Sequence, residues 1–401
     1  MFDFFQPASV EFVYEALLQK ARCLKERERH TLLNASGYVL AEDIISPINI
    51  PPYDNSAMDG YALAHIDAKK ELPVSQFISA GDTPASLVLG TAARIFTGAP
   101  MPAGADTVVA QETVKVLKNN TIHCMTEPAL GQHVRLAGED VQMHNKMLTA
   151  YQVLTPNMLA FAASIGVADL CVVRPLKVAI FFTGDELLEP GTQWLPSKIY
   201  NTNRYWLHTR LVQLGCEVVD FGIIQDDVVA IKKALYQAMQ QVDVALTCGG
   251  VSVGEKDFVK KAVGQLGEIF LWKVAMKPGK PFAFGRIDNI DFIGLPGNPV
   301  SGLVVFELLV KPFLLARLGI QQPLQSRFIP TRSAFEISQP DLYREEFLRV
   351  RRNIDKAGWC LEKYPNQSSG VFSSCVWGDG LAHIGIGQTV KRDDMIDFLP
   401  W

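Results

Sequence analysis

The stretch VDVALTCGGVSVGEKD, residues 242–257, is a short apolar run followed by a glycine-rich loop that ends in an acid. An apolar run of that length bounded by glycines predicts a buried strand. The same alternation recurs on both sides of it. Upstream stand KVAIFFTGDEL (177–187) and EVVDFGIIQDD (217–227), and downstream stand IFLWKVAMKPGKPFAFG (269–285) and DFIGLPGNPVSG (291–302). Helical patterns lie between them. Asn201 or Thr202 caps one, with Leu207, Leu211 and Leu214 inside and Gly215 as its stop, and residues 228–241 form another. Strands alternating with helices predict a doubly wound, largely parallel sheet covered on both faces, an α/β domain over residues 176–322.

Outward from this core the pattern changes. Residues 1–45 read as helical, with Ser9 as a cap, Val13, Ala16, Leu17, Ala21 and Leu24 on one face, and a second helix over Glu28–Ala35. Residues 46–142 are rich in proline and glycine with short apolar runs, which predicts a β-rich module. Helix returns near Thr155–Ile165. From residue 323 to 401, alternation between turn signals predicts a small antiparallel β domain. Val300–Leu318 is apolar but carries Glu307, Lys311, Pro312 and Arg317, so it reads as a buried helix and not a membrane span.

The chain has 401 residues, 48% hydrophobic and 20% charged, which predicts a multidomain globular protein and excludes disordered, collagenous and coiled-coil classes. A net charge of -4 excludes a non-specific nucleic-acid coat or a polybasic membrane tail. The 7 cysteines are scattered and form no CxxC, which argues against disulfides and zinc and for a reducing cytoplasm. The N-terminus lacks the basic stretch of a signal peptide.

In an open parallel sheet, ligands bind beyond the carboxyl ends of the strands. There the sequence places Asp185, Glu186, Asp226, Asp227 and Asp257. Clustered acids require a cation, and oxygen ligands without His or Cys suit Mg²⁺; alternatively some of them are helix caps. GGVSVG (249–254) offers free backbone N–H groups for phosphate, although as a sequence it is also an ordinary tight turn. Lys277 and Lys280 share a short proline-glycine loop, and their repulsion is relieved by an anion. In LPGNPVSG, Asn298 is a cap, Pro299 the first helical residue, and Ser301 lies in the first turn, where the helix dipole favours an oxyanion. In the N-terminal half, YDNSAMDGY (53–61), RIFTGAP (94–100) and GED (138–140) are polar turns; a turn accounts for Asp54, Asn55 and Ser56 but not for Asp59 and Gly60.

These pieces, in this order, resemble the MoeA family of molybdopterin molybdenumtransferases, relatives of the gephyrin E-domain. The resemblance implies four subdomains: an elongated helical N-terminal piece (1–45 and 143–175), a β-rich lid module (46–142), an α/β domain like the molybdopterin adenylyltransferases (176–322), and a C-terminal β-barrel (323–401). It implies a cytoplasmic homodimer that inserts molybdenum from molybdate into adenylylated molybdopterin and releases AMP, with Mg²⁺ as cofactor. It also implies partners among the adenylyltransferases and molybdoenzyme maturation proteins, with no nucleic acid and no membrane.

By motif, the resemblance carries catalytic roles onto Asp59, Glu186, Asp226, Asp257 and Lys273, with Glu186, Asp226 and Asp257 as metal ligands. It carries substrate or molybdate binding onto Thr97, Asp140, Gly249, Gly250, Ser252, Lys277, Lys280, Pro296, Asn298, Ser301, Arg349, Ser369 and Ser374, with Ser373 beside the last. By alternation Arg349 and Arg351 share a strand face, so the choice of Arg349 rests on the family. The chain departs from the family pattern at His144 and Tyr151, where glycines are usual. Rival readings are a non-catalytic pterin-binding or scaffold protein of the same fold, and a CinA-type or adenylyltransferase enzyme acting on another nucleotide. The full set of acids and lysines argues against the first, and DNSAMDGYA against the second.

Overall fold

The computed structural model describes residues 7–251 and 258–401. They form two compact units. The larger takes in the described residues through Glu28, Gly37–Val39, and those from Val173 onward; the smaller takes in Arg29–Ser36 and Leu40–Val172.

In the larger unit a six-stranded sheet has the order 217–224, 177–183, 244–248, 290–295, 281–287, 268–273. Neighbours among the first four strands pair in parallel, and 281–287 runs antiparallel to both of its neighbours. Ala179, Phe181, Ala245, Ala283 and Phe292 face a core closed by Ile231, Leu235 and Ala238 of one helix and Val259, Ala262 and Val263 of the next. The expected strand over IFLWKVAM is broken. Glu268–Lys273 stays in the sheet, whereas Met276–Lys277 pairs in parallel with Glu345–Glu346.

The C-terminal strands close a five-stranded barrel in the order 345–355, 358–363, 329–333, 395–400, 380–384 and back to 345–355. Leu348, Val350, Leu361, Ile384, Ile396 and Phe398 fill it. The helix Val10–Lys20 starts at Ser9, whose hydroxyl accepts from the Phe12 N–H, and buries Val10, Val13, Tyr14 and Leu17. The apolar segment Pro299–Arg317 is a core helix, 83% buried across its most apolar window.

The smaller unit is β-rich, as expected. Its six-stranded sheet has the order 107–110, 60–63, 92–95, 72–78, 121–124, 114–116. The sheet explains Gly60, which the turn reading left over. A Cβ there would lie 2.0 Å from the Val109 carbonyl oxygen, so only glycine lets the two strands close. The helix expected near Thr155–Ile165 is found at Pro156–Ser164, with Thr155 as its cap. The helix expected over Glu28–Ala35 is instead a strand at Arg27–Thr31 and a single 3₁₀ turn at Leu32–Asn34. Arg29 pairs with Asp169 there, and the Leu32 N–H donates to the Ala168 carbonyl. Long-range pairing thus overrides a favourable local helix propensity.

His144 and Tyr151 have φ of 71° and 63°, which is left-handed backbone. The departure from glycine is therefore carried by strained residues at turns closed by His144 N–H to Ser46 and Tyr151 N–H to Leu40. Left-handed backbone costs a non-glycine residue about 1–2 kcal/mol, and glycine returns about 0.5–1 kcal/mol of that as unfolded-chain entropy. His144→Gly is therefore expected to leave stability unchanged or raise it by up to about 1.5 kcal/mol in urea denaturation. Gly138→Ala, at φ 75° with its Cβ 3.2 Å from the Asn49 side chain, is expected to lower it. A destabilised His144→Gly would refute the strain assignment.

Candidate functional site

The parallel register defines one edge of the larger unit. Thr183 pairs with Ile224, Phe182 with Cys248, and Cys248 with Leu295, so the chain leaves all four strands at one level. The antiparallel strand enters at the same level through Pro281. Over this edge lies a cleft of about 870 Å³. Glu186, Asp226, Gly249, Gly250, Pro296, Asn298 and Ser301 line it, bringing together residues expected from four separate loops. Ser252 and Asp257 lie outside the described residues.

The floor is backbone. Gly249 and Gly250 have φ of 101° and 64°. A Cβ on Gly249 would sit 2.4 Å from the Thr183 carbonyl oxygen, and one on Gly250 would sit 2.4 Å from Cγ2 of Val259. Thr183 and Asn201 are buried in the wall, and Thr183 Oγ1 and Asn201 Nδ2 have no hydrogen-bond partner among the described residues. Such groups carry a desolvation cost of about 1–3 kcal/mol each until a ligand or water meets them. Cys248 also lines the cleft, but burial pushes its thiol pKa far up, so it is a protonated core residue and not a nucleophile.

The acids divide into caps and cleft groups. The Asp227 carboxylate accepts from the N–H groups of Val229 and Ala230, both at 2.9 Å, and caps the helix Val228–Met239. Asp226 faces the cleft instead. Glu186 folds over Gly184, where a Cβ would lie 2.8 Å from either carboxylate oxygen. Among the described residues, no group of three His, Cys, Asp or Glu is placed to hold a metal ion.

Asn298 holds the N-cap position of the long helix without capping it; its Nδ2 donates to Ser369 Oγ at 3.2 Å. The first-turn N–H groups beside buried Ser301 are thus left to a ligand. Asn203 fixes the turn by donating from Nδ2 to the Gly297 carbonyl at 2.7 Å, and Trp206 holds Asn203 in turn.

The lysines lie differently from the cluster expected of them. Lys277 pairs with Glu346 at 2.9 Å, so a barrel carboxylate supplies the counter-charge. Lys280 is exposed, and its carbonyl accepts from the Val274 N–H. Lys273 is half-buried, with its carbonyl bonded to the Ala8 N–H. None of the three is among the residues lining the cleft.

Arg349 is fully buried. Its Nε donates to Ser374 Oγ at 3.1 Å and its Nη2 to the Ser368 carbonyl at 3.2 Å, while Gln367 brackets its backbone. Burial lowers its pKa from the ordinary arginine value. Arg349 therefore holds the 368–374 segment from behind, and Gly370 of that segment lines the cleft. Ser373 hydrogen-bonds Tyr364 at 3.2 Å. Arg351, two residues on, is exposed and paired with Glu362.

In the smaller unit, Asp59 and Thr97 meet. The Asp59 carboxylate accepts from the Thr97 N–H at 2.8 Å and from its hydroxyl at 2.7 Å. The Thr97 N–H, then the hydroxyl, and more weakly Arg94 hold Asp59 below the usual carboxylate range. Asp140 is exposed, with its N–H donating to the Ile50 carbonyl. Sequence reasoning passed over Thr183, Arg94, and the cleft residues Trp194, Lys198 and Tyr200. For the last three the available signal was two aromatics and a lysine in one glycine-proline loop, GTQWLPSKIY.

Three family models match the chain: the MoeA N-terminal region (domain I and II) over 8–166, a probable molybdopterin binding domain over 179–316, and the MoeA C-terminal region (domain IV) over 337–401. The chain is 42% identical to a molybdopterin molybdenumtransferase of Haemophilus influenzae over 74% of each chain. It is 36% identical to one of Nostoc, over 93% of this chain and 88% of that one. A solved molybdopterin biosynthesis MoeA protein of Pyrococcus horikoshii superposes with a TM-score of 0.84 at 26% identity, covering 99% of this chain and 100% of that one.

Because the Asp59 pKa is lowered chiefly by the Thr97 N–H and next by its hydroxyl, Thr97→Ala is expected to raise it only part of the way to the ordinary aspartate value. Carboxyl chemical shifts followed against pH measure this. An unmoved Asp59 titration in the variant would show that the hydroxyl contributes nothing.

Proposed function

The chain belongs to the MoeA family of molybdopterin molybdenumtransferases, and from that premise we propose that its cleft takes adenylylated molybdopterin and molybdate, moves molybdenum into the dithiolene and releases AMP. The observation that carries this reading is the convergence of Glu186, Asp226, the Gly249–Gly250 floor and the uncapped helix start at Ser301 in one cleft. The lining offers both carboxylates and N–H donors, which is what a phosphoanhydride and its counter-ion require.

In this reading, backbone N–H groups at Gly249 and Gly250 and at the helix start take phosphate oxygens, and the orphan Thr183 hydroxyl and Asn201 amide add hydrogen bonds. Two carboxylates lining one cleft fit Mg²⁺, which is usually held by one or two carboxylates with water and substrate phosphate completing the sphere. Glu186 and Asp226 would hold it, with Asp257 as the third ligand implied by the family motif. When bound, the ion neutralises phosphate charge and polarises the anhydride toward water.

Molybdate is assigned to the Ser301 end of the cleft, which the Lys277–Lys280 loop borders through Pro281, with Arg349 acting through the loop that it supports. Asp59 and Thr97 are assigned to the cleft of a second copy, in a cytoplasmic homodimer. The adenylyltransferase supplies the substrate and maturation proteins receive the product.

Glu186→Gln and Asp226→Asn are each expected to cut AMP release by about 10²-fold or more while near-UV circular dichroism stays unchanged. Rates near wild type in the double variant would remove these acids from the chemistry. Mixing Asp59→Asn chains with Glu186→Gln chains is expected to restore part of the activity in heterodimers. Exchanged but fully inactive mixtures would rule out the composite site.

A further inference from the structure

Between the paired segments Leu187–Leu188 and Ile199–Tyr200, residues 189–198 form a loop on one wall of the cleft. Trp194 lines the cleft from this loop and stays 58% exposed. An indole left in water forgoes the burial that normally stabilises it. Its place is nevertheless fixed. The Trp194 Nε1–H donates to the Lys198 carbonyl at 3.1 Å. The Tyr200 hydroxyl donates to the Thr192 carbonyl at 2.9 Å, and the Thr192 hydroxyl donates to the Glu189 carbonyl at 2.7 Å. The Lys198 N–H donates to the Leu195 carbonyl, and its ammonium donates to the Asp185 carbonyl.

The polar edge of the indole is therefore satisfied inside its own loop, and what the ring has left to offer is its face. A rigid, part-exposed aromatic face in a substrate cleft is suited to stacking on a planar heterocycle, and Lys198 on the same wall favours an anionic ligand. Resting on the function proposed above, we propose that Trp194 stacks on the planar nitrogen heterocycle of the substrate, its adenine or its pterin, and sets affinity for that ring. The phosphates are taken elsewhere in the cleft, so Trp194 governs specificity and takes no part in the chemical step.

The test is calorimetric titration of AMP, of a free pterin and of a ribose phosphate lacking the base into the full chain and its Trp194→Ala and Trp194→Phe variants. Trp194→Ala is expected to bind one of the two heterocycles about 5- to 150-fold more weakly, the range of base–aromatic stacking. Trp194→Phe is expected to keep most of that affinity, and the ribose phosphate should bind all three proteins alike. The heterocycle that loses affinity identifies the ring that is stacked. In turnover, Trp194→Ala should raise KM and leave kcat nearly unchanged.

Equal affinity of Trp194→Ala and wild type for both heterocycles would overturn the platform and leave the functional reading standing. An equal loss for the ribose phosphate would make Trp194 a structural anchor of the loop, which also overturns the proposal. A wild-type protein that binds neither heterocycle would overturn the functional reading together with the platform.

Discussion

No methyl group fits between the ends of the two central strands. Gly249 approaches the Thr183 carbonyl so closely that an added Cβ would stand 2.4 Å from its oxygen, and Gly250 is hemmed in by Val259. This close approach makes the cleft floor out of peptide groups. It also leaves the Thr183 hydroxyl at the wall without a partner among the described residues. A side chain at Gly249 would run into the end of the neighbouring strand at Thr183, and one at Gly250 into the helix at Val259, so the packing of the sheet edge and the shape of the cleft share one steric condition.

The helix that begins at Pro299 runs from this edge through the core to Arg317, and it carries charge inward. Glu307 is buried between Arg210 at 3.2 Å and Lys311 at 3.0 Å. Arg317 at its end meets Asp291, which Arg286 also holds. Removing one partner of such buried sets is costly, about 3–5 kcal/mol, because the other charge stays buried. Between them the helix widens into one π turn, Phe306–Val310. Arg327 donates to the Glu307 and Leu308 carbonyls there, supplying donors where the wider turn disturbs the regular ladder. By length and composition the segment passes for a membrane span; its charges make sense only as parts of a packed core.

What was legible from sequence was whatever depends on neighbours along the chain. Strand ends, the glycine loop, the Ser9 cap and the presence of acids at the sheet edge follow from local pattern, while the choice among those acids came from the family motif. What was not legible depends on pairing across long separations. Lys277 read as half of an anion site because Glu346, its partner, lies in another domain's strand. The acids Asp226 and Asp227 are indistinguishable as a pair until the helix axis decides which of them caps. Arg349 and Arg351 alternate onto one face, yet the 364–378 segment treats them differently; Arg349 is buried under it, whereas Arg351 stays exposed, lying over the Trp377 ring at 4.6 Å and paired with Glu362. Helix propensity over Glu28–Ala35 lost to strand pairing for the same reason. The loop carrying Trp194 has no periodicity at all, so its part in the cleft came only with the fold.

Arg349 is the largest fully buried side chain among the described residues, and its guanidinium is held there by one hydroxyl and two carbonyls, those of Ser374, Ser368 and Phe347, with no carboxylate among these hydrogen-bond partners. Burial accordingly pulls its pKa down, opposing the charged form. A cation kept at that cost is only partly neutralised by its surroundings, and its field extends through a medium of low dielectric. The segment it supports reaches the cleft at Gly370 and grips Asn298 through Ser369. That grip holds the Asn298 side chain away from capping the helix, so the segment that Arg349 supports also leaves the first-turn N–H groups open. A buried cation and uncapped donors thus share one supporting arrangement. Lysine cannot reproduce it, because it lacks the planar fork that spans Ser374 and Ser368.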